Sequence, residues 1–196
     1  ISEPYISSYY KIGEKKKAQD LFRNIEKKYL DQIKYYSISL NQQPEKFPIK
    51  EFAENIFTYT ERYRGLIENE ILLGNYSFVS NSIENFIEYT EVFKNIYGEY
   101  DYYIFLINFI EPLYLSQKNK LAKKLYNNIL SEINSRINTI ISAKEESNSE
   151  YLDDLFVEEL SSAKNLLQII QDYESEKFIE SESKKLNDKK IEFMSK

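Results

Sequence analysis

The carboxylate of Glu111 has the setting that comes closest to that of a catalytic acid. It lies within the apolar run Tyr102–Leu115, and a buried carboxyl group with a raised pKa could transfer protons. However, Glu111 directly precedes Pro112, and helix starts favour both proline and acidic side chains. Glu3 precedes Pro4 in the same way. We therefore expect Glu111 to have a structural role at a helix start.

Other arrangements typical of enzymes or metal sites are missing from the sequence. The chain contains neither histidine nor cysteine, which excludes Ser-His-Asp and Cys-His catalysis and zinc sites built on these ligands. The acidic pairs Asp153–Asp154 and Glu158–Glu159 could attract a cation, but adjacent residues on a helix do not face each other. No glycine-containing calcium loop accompanies them. We therefore expect no catalytic residue, no metal and no cofactor, and we predict that this chain is not an enzyme.

Tyrosine is unusually frequent, with 18 residues in the chain, and clustered tyrosines could stack on sugars or bases. The dense positions are Tyr35–Tyr36, Tyr100, Tyr102 and Tyr103. At most positions we expect tyrosine to fill seams between helices, with its hydroxyl group at the rim. The last three follow a break at Gly98, where we predict an exposed aromatic patch.

Lys15, Lys16 and Lys17 form a basic cluster at a predicted helix start. Positive charge is unfavourable there, and the cluster could bind an anionic lipid or a phosphate. Three lysines are also typical of a solvated turn, which we favour. These lysines and the three tyrosines after Gly98 are the candidate interaction surface.

The composition limits the class of protein. The net charge is −6, and 30% of the residues are charged with both signs represented, so we expect no nucleic-acid partner. The longest apolar run, 102–115, is too short for a bilayer, which needs about 20 residues, so we predict a buried helix and no transmembrane segment within this chain. Only four glycines and four prolines occur, which indicates long helices.

Helical periodicity with sparse breaks predicts about seven long helices. We place them at residues 4–13, 14–40, 48–73, 75–97, 101–116, 118–146 and from 150 onward, with a loop at 41–48 and a kink at Pro112. The last segment is highly charged, so we predict a hairpin repeat domain over 1–173 and a solvated or frayed C-terminal helix or tail over 174–196.

An internal repeat is the strongest pattern in the chain. Without a gap, residues 10–25 match residues 114–129, which lie 104 positions later, close to three tetratricopeptide units of about 34 residues. The shared positions are Tyr10/Tyr114, Ala18/Ala122, Leu21/Leu125, Phe22/Tyr126, Asn24/Asn128 and Ile25/Ile129. The small alanine lets two helices approach closely, and the aromatic residue four positions on lies on the same face.

A third, weaker hairpin join follows Gly74, with Val79 or Ser80 at the alanine position. Three departures from a regular array are clear: isoleucines (Ile6 and Ile110) replace the close-packing glycine, the proline that ends a typical unit is missing, and the second helices are too long. We therefore predict an all-α fold, an irregular stack of antiparallel hairpins that forms a tetratricopeptide-like α-solenoid.

Residues 1–40 resemble a more specific group. Pro4-Tyr5, the segment Tyr9–Ala18 and the segment Tyr35–Leu40 are similar to the C-terminal soluble helical region of Bacteroidetes multi-spanning membrane proteins related to protein O-mannosyltransferases. The resemblance implies a non-catalytic tail at the periplasmic face of the inner membrane, bound to a protein partner or an adjoining membrane domain. The alternative is a free-standing scaffold or assembly subunit of a larger complex. Because the chain begins with Ile1 and not with methionine, we expect a piece of a longer or processed protein.

Overall fold

The computed structural model describes residues 3–42, 49–94, 98–146 and 149–196; within these ranges, the side chains of residues 3–4, 41, 49–53 and 99–101 are not described. The described chain is all-α and contains no strand, which confirms the predicted fold class. It divides into two compact units, Ile1–Tyr97 and Gly98–Lys196. Helix α2 includes the first two residues of the predicted loop at 41–48, and the remaining residues of that loop lie outside the described ranges.

The first unit contains four α-helices in its described part. These are α1 (Glu3–Lys11), α2 (Lys15–Gln42), α3 (Ile49–Leu72) and α4 (Tyr76–Thr90), which continues into a short 3-10 helix (Glu91–Phe93). Helix α2 packs against α1, α3 and α4, and α3 also packs against α4. The long second helix is therefore the centre of this unit.

The second unit begins with an additional helix and then follows the same order of helices. It comprises α5 (Glu99–Leu106), a 3-10 turn (Ile107–Phe109), α6 (Ile110–Leu115), α7 (Asn119–Glu146), α8 (Glu150–Ile170) and α9 (Glu176–Met194). Helix α7 has 28 residues, as α2 does. The predicted helix over 101–116 is divided by the 3-10 turn, and Pro112 lies in the first turn of α6, where its missing N–H costs least.

Three hairpin turns share one backbone geometry. In each, the second residue after the helix has a positive φ: 80° at Gly13, 74° at Gly74 and 63° at Gln117. The next amide donates a hydrogen bond back to the last turn of the preceding helix at 2.8–3.0 Å, as in a Schellman motif. Gln117 therefore adopts a conformation that normally favours glycine.

The residue five positions after each of these turn residues is fully buried: Ala18, Val79 and Ala122. Phe22, Ile83 and Tyr126, four positions further on, are also fully buried. The predicted close-packing positions are thus confirmed as core, and Val79 rather than Ser80 takes the equivalent place in the weaker copy.

The C-terminal helix α9 packs more closely than predicted. It lies against α7 and α8 within the second unit, with Leu186 and Phe193 buried. The Phe193 ring stacks on Phe156 at a centroid distance of 4.0 Å. Residues spaced by seven, Ile179, Leu186 and Phe193, give even a charged helix one apolar stripe, and most of its other side chains are exposed. The two compact units divide between residues 97 and 98.

Candidate functional site

The structure places Glu111 on the surface, in the first turn of α6. An exposed carboxylate at a helix start has the structural setting that we expected from Pro112. Glu111 therefore lacks the buried environment that an acid–base role would need.

The predicted aromatic patch is not exposed at the positions that the structure describes. Tyr102 and Tyr103 retain only 2% and 7% of their accessible surface, and their rings contact each other at 5.6 Å. Helix α5 packs against α7, so its tyrosines belong to the core of the second unit. The side chain of Tyr100 lies outside the described residues. The patch prediction was therefore wrong for Tyr102 and Tyr103, since tyrosine is equally suited to a core seam.

Lys15, Lys16 and Lys17 are exposed in the first turn of α2, as predicted. The ammonium group of Lys17 lies 3.2 Å from the carboxylate of Glu14. Such an exposed pair contributes little to stability. Binding of an anion by this cluster stays a prediction.

One acid of each predicted pair serves the packing of the second unit. Asp153 forms an ion pair with Lys144 at 2.6 Å, and the buried Glu159 forms one with Arg136 at 2.7 Å. Both pairs join α7 to α8. In the part of the chain that the structure describes, no group of three or more acidic side chains is placed to hold a metal ion.

A buried carboxylate, Glu26, ties three helices of the first unit together. Its two oxygens accept hydrogen bonds from Tyr63 at 2.8 Å and from Arg23 at 2.6 Å. Arg23 also donates to Ser82 Oγ at 3.0 Å and lies 4.3 Å from the ring centre of Phe78. Burial and the charge of Glu26 raise the pKa of Tyr63. This cluster, which we call the Glu26 clamp, has every one of its charged groups paired, so it is structural.

Glu70, near the end of α3, is buried but only partly paired. Its Oε2 accepts hydrogen bonds from the Tyr10 hydroxyl and from Asn75 Nδ2, both at 2.8 Å. Its Oε1 has no hydrogen-bond partner among the described residues. Leaving a buried carboxylate oxygen unpaired costs about 1–3 kcal/mol or more, so this atom is a candidate binding group.

Glu70 lines an open groove between α1 and α3, which we call the Glu70 groove. The groove has a volume of about 480 Å³, within the range of about 300–1,000 Å³ usual for ligand sites. Its other lining residues are Ile6, Ser7, Leu66, Asn69, Leu72 and Leu73. Leu72 is 83% exposed and Leu73 is 47% exposed. The groove thus combines an apolar rim with a buried carboxylate, a combination that suits recognition of another molecule.

The second unit contains the same tyrosine–glutamate pair, but there both oxygens of the glutamate accept hydrogen bonds. Tyr114 donates to Glu174 Oε1 at 2.9 Å, and Lys123 donates to Glu174 Oε2 at 3.0 Å. The Tyr173 ring stacks on Tyr114 at 4.5 Å. Burial alone would raise the pKa of Glu174, but the hydrogen bonds from Lys123 and Tyr114 outweigh it and hold the pKa below its usual value.

Sequence reasoning missed Glu70, although two signals for it were present. Glu70 continues the buried face formed by Ile56, Tyr63 and Leu66, and an acid on an apolar face is unusual. Glu70 and Glu174 also lie 104 positions apart, the offset of the repeat.

No protein-family model, curated protein or solved structure matches the chain. None of the helices in the described ranges combines the length and the apolar content that are needed to cross a membrane.

Proposed function

We propose that this chain is a helical-repeat interaction domain without catalysis of its own. The observation that carries the proposal is the Glu70 groove, where two exposed leucines border a buried carboxylate that is incompletely paired. Exposed apolar side chains grouped around a cleft are typical of protein-binding surfaces.

The proposed architecture is a stack of tetratricopeptide-like hairpins. Support comes from the three turns of one geometry and from the buried small or branched residue that follows each of them, Ala18, Val79 and Ala122. Stacked hairpins bury continuous seams between neighbouring helices and leave an extended surface for partners.

The proposed setting is the periplasmic face of a bacterial inner membrane, as the extramembrane part of a membrane protein related to glycosyltransferases. Support comes from the resemblance of residues 1–40 to such tails. The partner in this setting is either another protein or the membrane domain of the same polypeptide.

Site-specific photo-crosslinking in the native host tests the interaction function. p-Benzoylphenylalanine replaces Leu72 at the groove or, as a control, the exposed Ile191 on α9. We expect a discrete adduct from position 72 and none from position 191. Absence of an adduct from position 72, or identical adducts from both positions, would contradict the proposal.

The identity of the adduct decides the setting. A crosslink to a hydrophobic membrane domain of the same polypeptide supports the membrane-protein context. A crosslink to a separate soluble protein replaces that context with the free-standing scaffold.

A further inference from the structure

The two units differ at the residue that neutralises the tyrosine-bound glutamate. In the second unit, Lys123 directly follows the buried Ala122 and pairs with Glu174. In the first unit, the residue after the buried Ala18 is Gln19. Position 19 therefore carries no charge to offset Glu70, and the described ion pairs of the first unit include none to Glu70.

The two units also differ in what covers the tyrosine. Tyr173 precedes Glu174 and stacks on Tyr114. The residue before Glu70 is Asn69, which lines the open groove. Glu70 and Glu174 occupy like positions in their helical segments, because the amide of Glu174 still donates to the carbonyl of Ile170, one turn earlier, at 3.0 Å. At these two positions the second unit carries a tyrosine ring and a lysine ammonium group, whereas the first unit carries Asn69 and Gln19 and has the Glu70 groove.

We propose that the Glu70 groove binds a partner segment that presents a lysine beside an aromatic side chain. Glu70 Oε1 has almost no accessible surface in the unbound chain, so the partner's ammonium group would displace a neighbouring side chain of the groove in order to donate to it, as Lys123 donates to Glu174. The aromatic ring would lie in the groove beside the exposed leucines, on the side of the Glu70-bound Tyr10, as Tyr173 lies against Tyr114. Such a charge-assisted hydrogen bond is about twice as strong as a neutral one, and it removes the penalty of the unpaired oxygen.

This inference rests on the proposed interaction function and specifies the chemistry of the partner. A neutral polar side chain could also reach Glu70 Oε1, but it would leave the carboxylate charge uncompensated within a buried site. A cation is therefore favoured, and the chain itself provides the precedent in its second unit.

Titration of the isotope-labelled chain with capped dipeptides tests the proposal by nuclear magnetic resonance. The probes are acetyl-Tyr-Lys-amide and acetyl-Lys-Tyr-amide, each with a matched control in which glutamine replaces lysine. We expect at least one lysine probe to shift the amides of Leu72, Leu73 and Gly74, with an apparent affinity at least fivefold above that of its glutamine control.

Two variants locate the binding. Glu70→Gln keeps the shape of the side chain and is expected to abolish the preference for lysine. The double variant Gln19→Lys with Asn69→Tyr gives the first unit the side chains of the second, so it is expected to weaken probe binding at least tenfold. Its thermal midpoint should be equal to or above that of the parent chain, which shows that the fold is intact. Glu54→Gln, an exposed position on the same helix, is the matched control and should bind as the parent does.

Three outcomes overturn the proposal: no shift with any probe, equal affinity for lysine and glutamine probes, or undiminished binding by the double variant. These results are separable from failure of the interaction function. A specific crosslink at position 72 together with equal affinities would leave the interaction domain in place and remove only the preference for lysine.

Discussion

The Tyr10 hydroxyl donates a hydrogen bond to Glu70 across 60 positions of the chain, and Tyr114 donates one to Glu174 across the same separation. The first bond joins α1 to the end of α3, and the second joins α6 to the segment after α8. The internal repeat therefore extends beyond the first matched helices to a tertiary contact. In each unit, this contact ties the helix before the hairpin turn, α1 or α6, to the end of α3 or to the segment after α8.

Replacing Tyr10 by phenylalanine should destabilise the first unit. Glu70 Oε2 would lose one of its two donors, and the free energy of unfolding should fall by about 1–2 kcal/mol. Urea denaturation followed by circular dichroism measures the change. Tyr5→Phe, at an exposed position on the same helix, should change the stability by less than about 0.5 kcal/mol. Equal effects of the two variants would show that the hydrogen bond contributes nothing specific.

Removal of Arg23 should be more costly, because Glu26 would stay buried without its counter-charge. Loss of one partner from a fully buried pair costs about 3–5 kcal/mol. Since the Arg23 side chain is partly exposed, we expect Arg23→Ala to cost about 2–3 kcal/mol. Arg62→Ala, at an exposed position on α3, is the comparison and should cost less than about 0.5 kcal/mol. If Arg23→Ala left the free energy of unfolding unchanged, water would be solvating Glu26 in the clamp.

Replacing Phe193 by alanine tests the packing of α9. Deletion of a buried phenylalanine side chain costs about 3–5 kcal/mol, and here it also removes the stacking on Phe156. The neighbouring Met194 is 75% exposed, so Met194→Ala should be nearly neutral. Thermal unfolding of both variants measures the difference. Similar midpoints would show that α9 does not share the core of the second unit.

The helices and the repeat could be predicted from the sequence because they depend on local signals. Gly13 and Gly74 mark turns that need a positive φ, and the alanines at 18 and 122 mark close packing. The exposure of Tyr102 and Tyr103 could not be predicted, since the same ring serves a core seam or a surface patch. The Glu70 groove depends on a tyrosine 60 positions away, and no local pattern encodes that distance.

Acid should remove the stability that Glu174 provides. The pKa of Glu174 in the folded chain lies below its ordinary value of 4.5. A carboxylate with a lowered pKa stabilises the fold above its ordinary pKa, and this contribution is lost as the pH falls from there through the folded value. The stability difference between the parent chain and Glu174→Gln should therefore be constant from pH 7 to about pH 5 and decrease below it. Chemical denaturation at a series of pH values tests this. A difference that stays constant down to pH 3 would exclude the ionised pair with Lys123.

Stability should also fall in alkali, in this case through the buried tyrosines. Burial, together with a neighbouring glutamate, raises the pKa of Tyr63 and Tyr114 in the folded chain above the ordinary value of 10.0. A group whose pKa is raised on folding stabilises the fold fully below its ordinary pKa, and this contribution is lost as the pH rises above it. We expect Tyr63→Phe to reduce the loss of stability above pH 10. Ultraviolet absorbance of phenolate during an alkaline titration should show these tyrosines ionising only as the chain unfolds; ionisation near pH 10 in the folded state would refute this.

The division between residues 97 and 98 has a consequence for biosynthesis. The bonds that fix the first unit, from Tyr10 to Glu70 and from Arg23 to Ser82, all lie before the residues of the second unit in the chain. Domains generally fold as units, with the N-terminal one first during synthesis. The open groove can therefore be complete on the nascent chain, and ready to engage the proposed partner, while the ribosome is still adding the helices of the second unit.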